Sequence, residues 1–372
     1  MKVALVGVGY WGSKLLRNLV RLMPIRSNIV VVDCLDRLSS AYDDHPGIRL
    51  AVSLEEALSV DDVGAVIIAT PVETHAELAL EALVAGRHVF VEKPLASSVP
   101  EAVKVVRTAD ELGLKLMVGH TFLFSPRVER VAAHLATGEA GRIHYVTSER
   151  LNLGRHRSDV NVIWDLAPHD FSIIFHLLGE FPMSVQTMGK SVWRPGCPDV
   201  AFMNLAFPSG TIASVSVSWL SPRKIRSTLL VAENQMIVYD DTNADEPVKI
   251  FDKGVVRTEA VTFAANQLTY RYGDTVAPYI GVDEPLSQEL AHFLAWCADE
   301  RPPLSDGWFG LEVVRALEAA DRSWREGNVR VEIDEIDGID IDHLCAPASL
   351  NRHPSPAVGA APTPDALPRR AG

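Results

Sequence analysis

The feature that most restricts what this chain can become is a glycine run near its start, Gly7-Val8-Gly9-Tyr10-Trp11-Gly12. The residues before it, Val3–Val6, are short, apolar and β-branched in character, and those after it, Trp11–Met23, carry helical spacing. A G-x-G-x-x-G lodged between a strand and a helix has a specific physical use. The first glycine permits a tight turn, and the second lets the backbone come close to a pyrophosphate. The third allows the helix to pack on the strand, and the helix N-terminus receives the phosphate charge. Three glycines alone make ordinary turns. Their place in the first βα turn is what directs the reading to a dinucleotide site.

The following stretch repeats the pattern. Ile29–Asp33, Ala65–Ala69, His88–Glu92 and Lys115–Val118 read as buried strands, and Leu54–Leu58, Thr74–Val84 and Val99–Leu112 read as helices. Ser53 with Glu56 and Ser98 with Glu101 fit capping boxes, while Gly86 and Gly113 are stop signals. Alternation of this kind predicts an α/β fold, a parallel sheet wound on both faces. After His120 the character changes. A helix near Arg127–Thr137 is followed by Ile143–Leu151, Val200–Phe207, Thr211–Trp219, Ser227–Ala232 and Gln235–Asp240, which read as strands, the third with an alternating polar face. Helices are expected at Leu166–Leu178, Leu286–Asp299 and Trp308–Trp324. The expected domains are a dinucleotide-binding α/β domain over 1–120 and an α+β domain over 121–330 with a mainly antiparallel sheet. The last region, 331–372, is acidic and then rich in Ala and Pro, and is expected to be a disordered tail.

Composition narrows the partners. The 372 residues are enough for two domains, and a net charge of −13 argues against a nucleic-acid binder. No apolar stretch reaches the ~20 residues of a membrane helix. The start of the chain has no signal-peptide pattern, and its four cysteines form no C-x-x-C pair. The expectation is a cytoplasmic protein with reduced thiols and no metal.

Individual residues sharpen the chemistry. Asp33 stands 21 positions after Gly12, where a carboxylate accepts from ribose hydroxyls and repels a 2′-phosphate. This favours NAD over NADP, although Arg37 argues the other way. Ala69-Thr70-Pro71 falls at the sheet edge that faces the nicotinamide half, and His75 is placed either to touch cofactor or to brace a helix start. Tyr10 and Trp11 either pack around the turn or stack on substrate. Glu92-Lys93-Pro94 puts an ammonium at the end of a strand, where it can polarise or deprotonate a hydroxyl. Asp165 and His169 are four apart on one helical face, so the carboxylate can set the histidine's proton affinity. Asn152, Arg155 and Arg157 are candidate substrate contacts or a solvated loop, and His120 either lines the cleft or packs.

Taken together, Gly7-x-Gly9-x-x-Gly12, Ala69-Thr70-Pro71 with Thr74-His75, Glu92-Lys93-Pro94 and Trp164-Asp165-Leu166-Ala167-Pro168-His169-Asp170 resemble the Gfo/Idh/MocA oxidoreductase family over roughly residues 1–330. The resemblance implies His169 as acid/base, Lys93 as polarising or relay group and Asp165 as orienter or substrate ligand. It also implies that 1–120 is a Rossmann domain, that 121–330 is a substrate-binding and oligomerisation domain whose open sheet builds homodimers or homotetramers, and that the chemistry needs no metal. Many sugar-oxidising relatives place glycines where Asn161-Val162-Ile163-Trp164 stands here, so the likeness is to the nucleotide-sugar and amino-sugar branch. The expected reaction is NAD-dependent oxidation of a secondary ring hydroxyl, at position 3, to a ketosugar for later transamination. The alternatives are a 3-ketosugar reductase, an inositol or cyclitol dehydrogenase, and a non-enzymatic NAD sensor.

Overall fold

The computed structural model describes residues 1–154, 160–257, 268–298 and 303–334. Its N-terminal part runs β1 (Lys2–Val6), α1 (Gly12–Leu22), β2 (Ile29–Val32), α2 (Leu35–Asp44), β3 (Arg49–Ala51), α3 (Leu54–Leu58), β4 (Val63–Ile68), α4 (His75–Val84), β5 (His88–Glu92), α5 (Val99–Glu111) and β6 (Leu116–Gly119). All six strands are parallel, in the order β3-β2-β1-β4-β5-β6. The order reverses between β1 and β4, and ligands of such sheets sit at that switch, outside the C-terminal strand ends. The apolar runs of β1, β2, β4 and β5 follow from burial on both faces.

Periodicity does not delineate α2 or β3. The first is crowded with Asp, Arg and Ser, and the second is three residues long at the sheet edge. Ser53 caps α3 as its box predicts, accepting from the Glu56 N–H at 3.1 Å. Ser98 does not cap α5. A carboxylate from a distant helix takes its place, because Glu318 Oε2 accepts the Val99 N–H at 2.8 Å and Glu101 turns back to Ser97.

The second part comprises α6 (Pro126–Leu135), β7 (Ile143–Leu153), α7 (Val162–Leu178), β8 (Ser184–Lys190), β9 (Val200–Ala206), β10 (Ile212–Ser218), β11 (Leu220–Ala232), β12 (Met236–Asp240), β13 (Val248–Arg257), β14 (Leu268–Val276), α8 (Pro285–Ala298), α9 (Gly307–Arg325) and β15 (Arg330–Glu332). Among the described residues nine strands form one sheet, β14-β13-β12-β11-β7-β10-β9-β8-β15, in which the β7–β10 pair is parallel and the others are antiparallel. The polar–apolar alternation has its expected cause. Ala213, Val215 and Val217 point into a core under α7, while Ile212 on β10 and Phe202 on β9 lie exposed on the other face. β11 starts at Leu220, ahead of the expected Ser227, with an irregular register between Leu220 and Ile225. The start of the region read as tail is ordered: Val331 and Glu332 belong to β15, which pairs with β8, and Val331 is buried. The remainder, 335–372, lies outside the described residues. No described helix is long and apolar enough to cross a membrane.

Candidate active site

The glycine turn is built as its spacing requires. Gly7 has φ +90°, and a Cβ on it would lie 2.8 Å from the Ala69 carbonyl oxygen. A Cβ on Gly12 would lie 1.9 Å from the Gly7 oxygen, so the start of α1 closes directly on the turn. At Gly9 the space is open, with Arg37 Nη1 at 3.7 Å as the near neighbour of a virtual Cβ. An open glycine backbone at a helix N-terminus fits the pyrophosphate of a dinucleotide.

Asp33 braces this turn from the end of β2. Its Oδ2 accepts the Val8 N–H at 2.7 Å and its Oδ1 the Cys34 N–H at 2.7 Å, and Arg37 lies 3.5 Å away. Burial pushes the carboxyl up, but the two backbone donors and Arg37 outweigh it and leave it below its ordinary value. Trp11 donates its indole N–H to Glu92, tying the turn to the end of β5. Tyr10 is exposed, with Lys14 Nζ 4.2 Å above its ring. Thr70 Oγ1 accepts from Thr74, and Pro71 is exposed at the start of the next turn. His75 is buried, with Nδ1 2.8 Å from the Pro94 carbonyl oxygen and Nε2 2.9 Å from that of Thr70. It therefore bridges the ends of β4 and β5, holding the sheet edge on which Lys93 stands.

Lys93, before a cis bond to Pro94, reaches across to α7 and donates to the Asp165 carbonyl at 2.8 Å. Asn161 fixes the start of α7, its Oδ1 accepting the Ile163 and Trp164 N–H groups at 3.0 and 3.2 Å. That cap starts the helix four residues ahead of the expected Leu166. Asp165 and His169 consequently fall in its first two turns. Asp165 Oδ2 accepts from Trp219 Nε1 at 3.0 Å, and the charges acting on His169 are cationic. Burial, then Lys93, Arg150 and Arg226, together with His120, hold the imidazole well below its ordinary value. The same causes favour the neutral imidazole.

His120 is 1% exposed, neither ring nitrogen has a hydrogen-bond partner, and burial followed by the Lys93 charge pushes it down to about 3. It packs edge-on to Phe309. Asn152 lies at the end of β7 with its Oδ1 buried and unpartnered. Arg155 and Arg157 lie outside the described residues. Among the described residues, no three His, Cys, Asp or Glu side chains form a group that could hold a metal ion.

Sequence reasoning missed the residues that shape the floor. Phe122 meets the His169 ring edge-on at 5.0 Å, and the Arg150 guanidinium lies 4.7 Å from its centroid. Arg150 is buried and paired with Asp170 of α7 at 2.7 Å, and Ser148 donates to the same carboxylate at 2.8 Å. Glu289 of α8 is fully buried. Only Glu289 left a signal, a carboxylate on an otherwise apolar helix stripe.

The family model described as "Oxidoreductase family, NAD-binding Rossmann fold" matches residues 1–120, and that of the GFO/IDH/MocA C-terminal domain matches residues 128–239. The chain is 26% identical over 333 residues to UDP-N-acetylglucosamine 3-dehydrogenase from Acidithiobacillus ferrooxidans, spanning 85% of this chain and 95% of that one. It is 27% identical over 263 residues to 4-carboxy-2-hydroxymuconate-6-semialdehyde dehydrogenase from Sphingobium, spanning 67% and 84%. A solved structure of the Acidithiobacillus enzyme shares the fold, with a TM-score of 0.73 at 24% identity over 88% of this chain and 98% of that one.

Proposed function

Because the chain belongs to the GFO/IDH/MocA family of NAD-binding oxidoreductases, we propose that it oxidises a secondary ring hydroxyl, at position 3, of a nucleotide-linked or amino sugar. NAD, when bound, supplies the hydride acceptor. The observation that carries this reading is the convergence of Lys93 from β5 with Asp165 and a neutral His169 from α7. Lys93 polarises the hydroxyl or relays its proton, His169 takes up the proton, and Asp165 orients the substrate while bonded to Trp219. The same residues serve the reverse reduction of a 3-ketosugar.

Around that centre, Gly7, Gly9, Gly12, Tyr10, Trp11, Asp33, Thr70, Pro71, His75 and Glu92 form the cofactor side, within a Rossmann domain taken as 1–120. Asp33 favours NAD over NADP, since a 2′-phosphate would meet its carboxylate. The substrate side falls within 121–330. It includes Asn152 and His120. The uncovered sheet face bearing Phe202 and Ile212 is the surface for a homodimer or homotetramer. The named activity of the Acidithiobacillus relative supports a sugar substrate, and the semialdehyde relative is the reason the sugar needs direct testing.

The test is appearance of reduced nicotinamide when purified protein and NAD meet panels of nucleotide sugars, amino sugars and cyclitols. Turnover confined to the nucleotide or amino sugars is the expected result. Lys93→Met and His169→Ala should each lower it by about 10²–10⁴-fold, while NADH still binds in a fluorescence titration. Full activity in either variant would remove that residue from its role.

A further inference from the structure

β7 and β11 lie side by side with Arg226 opposite Arg150, and both guanidiniums gather on one phenyl ring. Arg150 lies 4.7 Å from the Phe122 centroid and Arg226 5.8 Å, while the His169 ring meets Phe122 edge-on at 5.0 Å. Phe122 belongs to the turn between β6 and α6. Phe122, His169 and Arg226 are each half-buried, whereas Arg150 is buried. One aromatic ring therefore separates the imidazole from a guanidinium that solvent reaches, and a pyranose ring is about as wide.

Charge does not cancel along this wall. Arg150 donates from Nε and Nη2 to Asp170 at 2.7 and 3.3 Å, and its buried Nη1 has no hydrogen-bond partner among the described residues. Asp241, just after β12, is shared. Its Oδ1 accepts from Arg127 of α6 at 2.9 Å and from the Tyr239 hydroxyl at 3.3 Å, and its Oδ2 accepts from Arg226 Nη1 at 3.2 Å. Three guanidiniums thus face two carboxylates, in a chain whose net charge is −13. Ahead of Arg226 the strand bulges. Leu220 pairs with Leu153 and Ile225 with Leu151, so the residues from Ser221 to Lys224 stand against Asn152 alone. Ser221 Oγ accepts the Arg223 N–H at 3.2 Å and donates to the Arg223 carbonyl at 2.9 Å, which closes the bulge on itself. Arg223 and Lys224 are exposed on it, and Asn152 keeps a buried, unpartnered Oδ1 among the described residues.

We propose that Arg226 is a specificity-determining residue: the substrate whose hydroxyl meets His169 carries an oxyanion on its ring, a carboxylate or a phosphoryl group, and Arg226 receives it. Asp241 braces the guanidinium through Nη1, which leaves the Nε–Nη2 edge as a fixed fork, and a carboxylate or phosphoryl group matches that fork with two parallel hydrogen bonds. Arg223 and Lys224 add charge at the rim. A neutral sugar would leave the excess cation of this wall uncompensated, so the arrangement selects against it. The proposal rests on the oxidoreductase reading of the site and adds the charge of its substrate.

Calorimetric titration of matched ligands into the full chain saturated with NADH tests this. N-acetylglucosamine is compared with its uronic acid and with its 1-phosphate, and 3-hydroxycyclohexanecarboxamide with 3-hydroxycyclohexanecarboxylate, which is not a sugar. In the wild type an anion should bind about tenfold more tightly than its neutral partner, and the advantage should shrink as salt rises. The uronate and the phosphate arms tell a carboxylate from a phosphoryl group. Arg226→Gln should remove the advantage, and Arg226→Lys, which keeps the charge without the fork, should retain part of it. Arg127 still pairs with Asp241 in both variants, and retained NADH binding reports that they fold. Absence of any anion advantage in the wild type, or an advantage undiminished in Arg226→Gln, would overturn the proposal. An Arg226-dependent advantage confined to the hydroxycyclohexanecarboxylate would uphold it and count against the sugar reading. Turnover of a neutral sugar with no preference for its acid or phosphate would do the reverse.

Discussion

Asp33 uses both carboxylate oxygens on the chain itself, accepting from Val8 and Cys34, and so holds the glycine turn in shape before any ligand arrives. The remaining lone pairs of those oxygens are what a ribose hydroxyl would meet. Losing charged hydrogen bonds of this kind costs about 1.5–3 kcal/mol, so Asp33→Ala should weaken NADH binding by roughly 10–100-fold. It should also narrow the gap to NADPH, since Arg37, 3.5 Å from the carboxylate, would lose its partner. Fluorescence titration with both cofactors reads this directly, and an unchanged preference would detach Asp33 from selectivity. Single residues were legible where the chemistry is tied to a strand end, as at Asp33 and Lys93. Arg150 and Trp219 were not, because nothing local marks a strand residue as facing a particular helix.

Elements are joined across the site by polar groups that only make sense in pairs. Arg150 on β7 and Asp170 on α7 form a buried ion pair at 2.7 Å. Removing one partner of such a pair strands the other charge away from water. Asp170→Asn should therefore destabilise the protein by about 3–5 kcal/mol, measured by urea unfolding. A loss below ~1 kcal/mol would mean water reaches Arg150 freely. Helix ends show how far local signals carry. The Ser53 box forms because both partners lie within one turn. The Ser98 box fails because Glu318, from α9, offers a carboxylate to the Val99 N–H. The periodicity of α7 was readable, yet its start was set by Asn161, whose side chain also donates to Asp321 of α9 at 2.7 Å.

At the scale of the molecule, the region between the two sheets concentrates buried titratable groups with opposite pH responses. His120, at about 3, and His169 have lowered proton affinities, both chiefly through burial. Their contribution to stability is whole above the unfolded histidine value of ~6.5 and is lost as pH falls. Glu92 and Glu289 are raised, again chiefly by burial. Their contribution is whole below the unfolded carboxyl value of ~4.3 and is lost as pH rises, for Glu92 through about 7. Thermal unfolding from about pH 4 to 9 should give a maximum on the mildly acid side of neutrality, with Glu289→Gln flattening the alkaline slope. Stability that climbs steadily to the alkaline end would contradict this. The sequence by itself determined the parallel sheet, the glycine turn, the family likeness and the candidates Lys93, Asp165 and His169. Those signals are periodic or confined to a few neighbouring positions, and backbone sterics and burial act on them locally. Only the tertiary structure decided that Trp219 holds Asp165, that Phe122 and Arg150 floor the site, and that the buried Glu289 of α8 meets Thr121. Such contacts depend on which strand lies beside which helix, and proton affinities in the interior depend on the charges and the loss of water that those contacts impose.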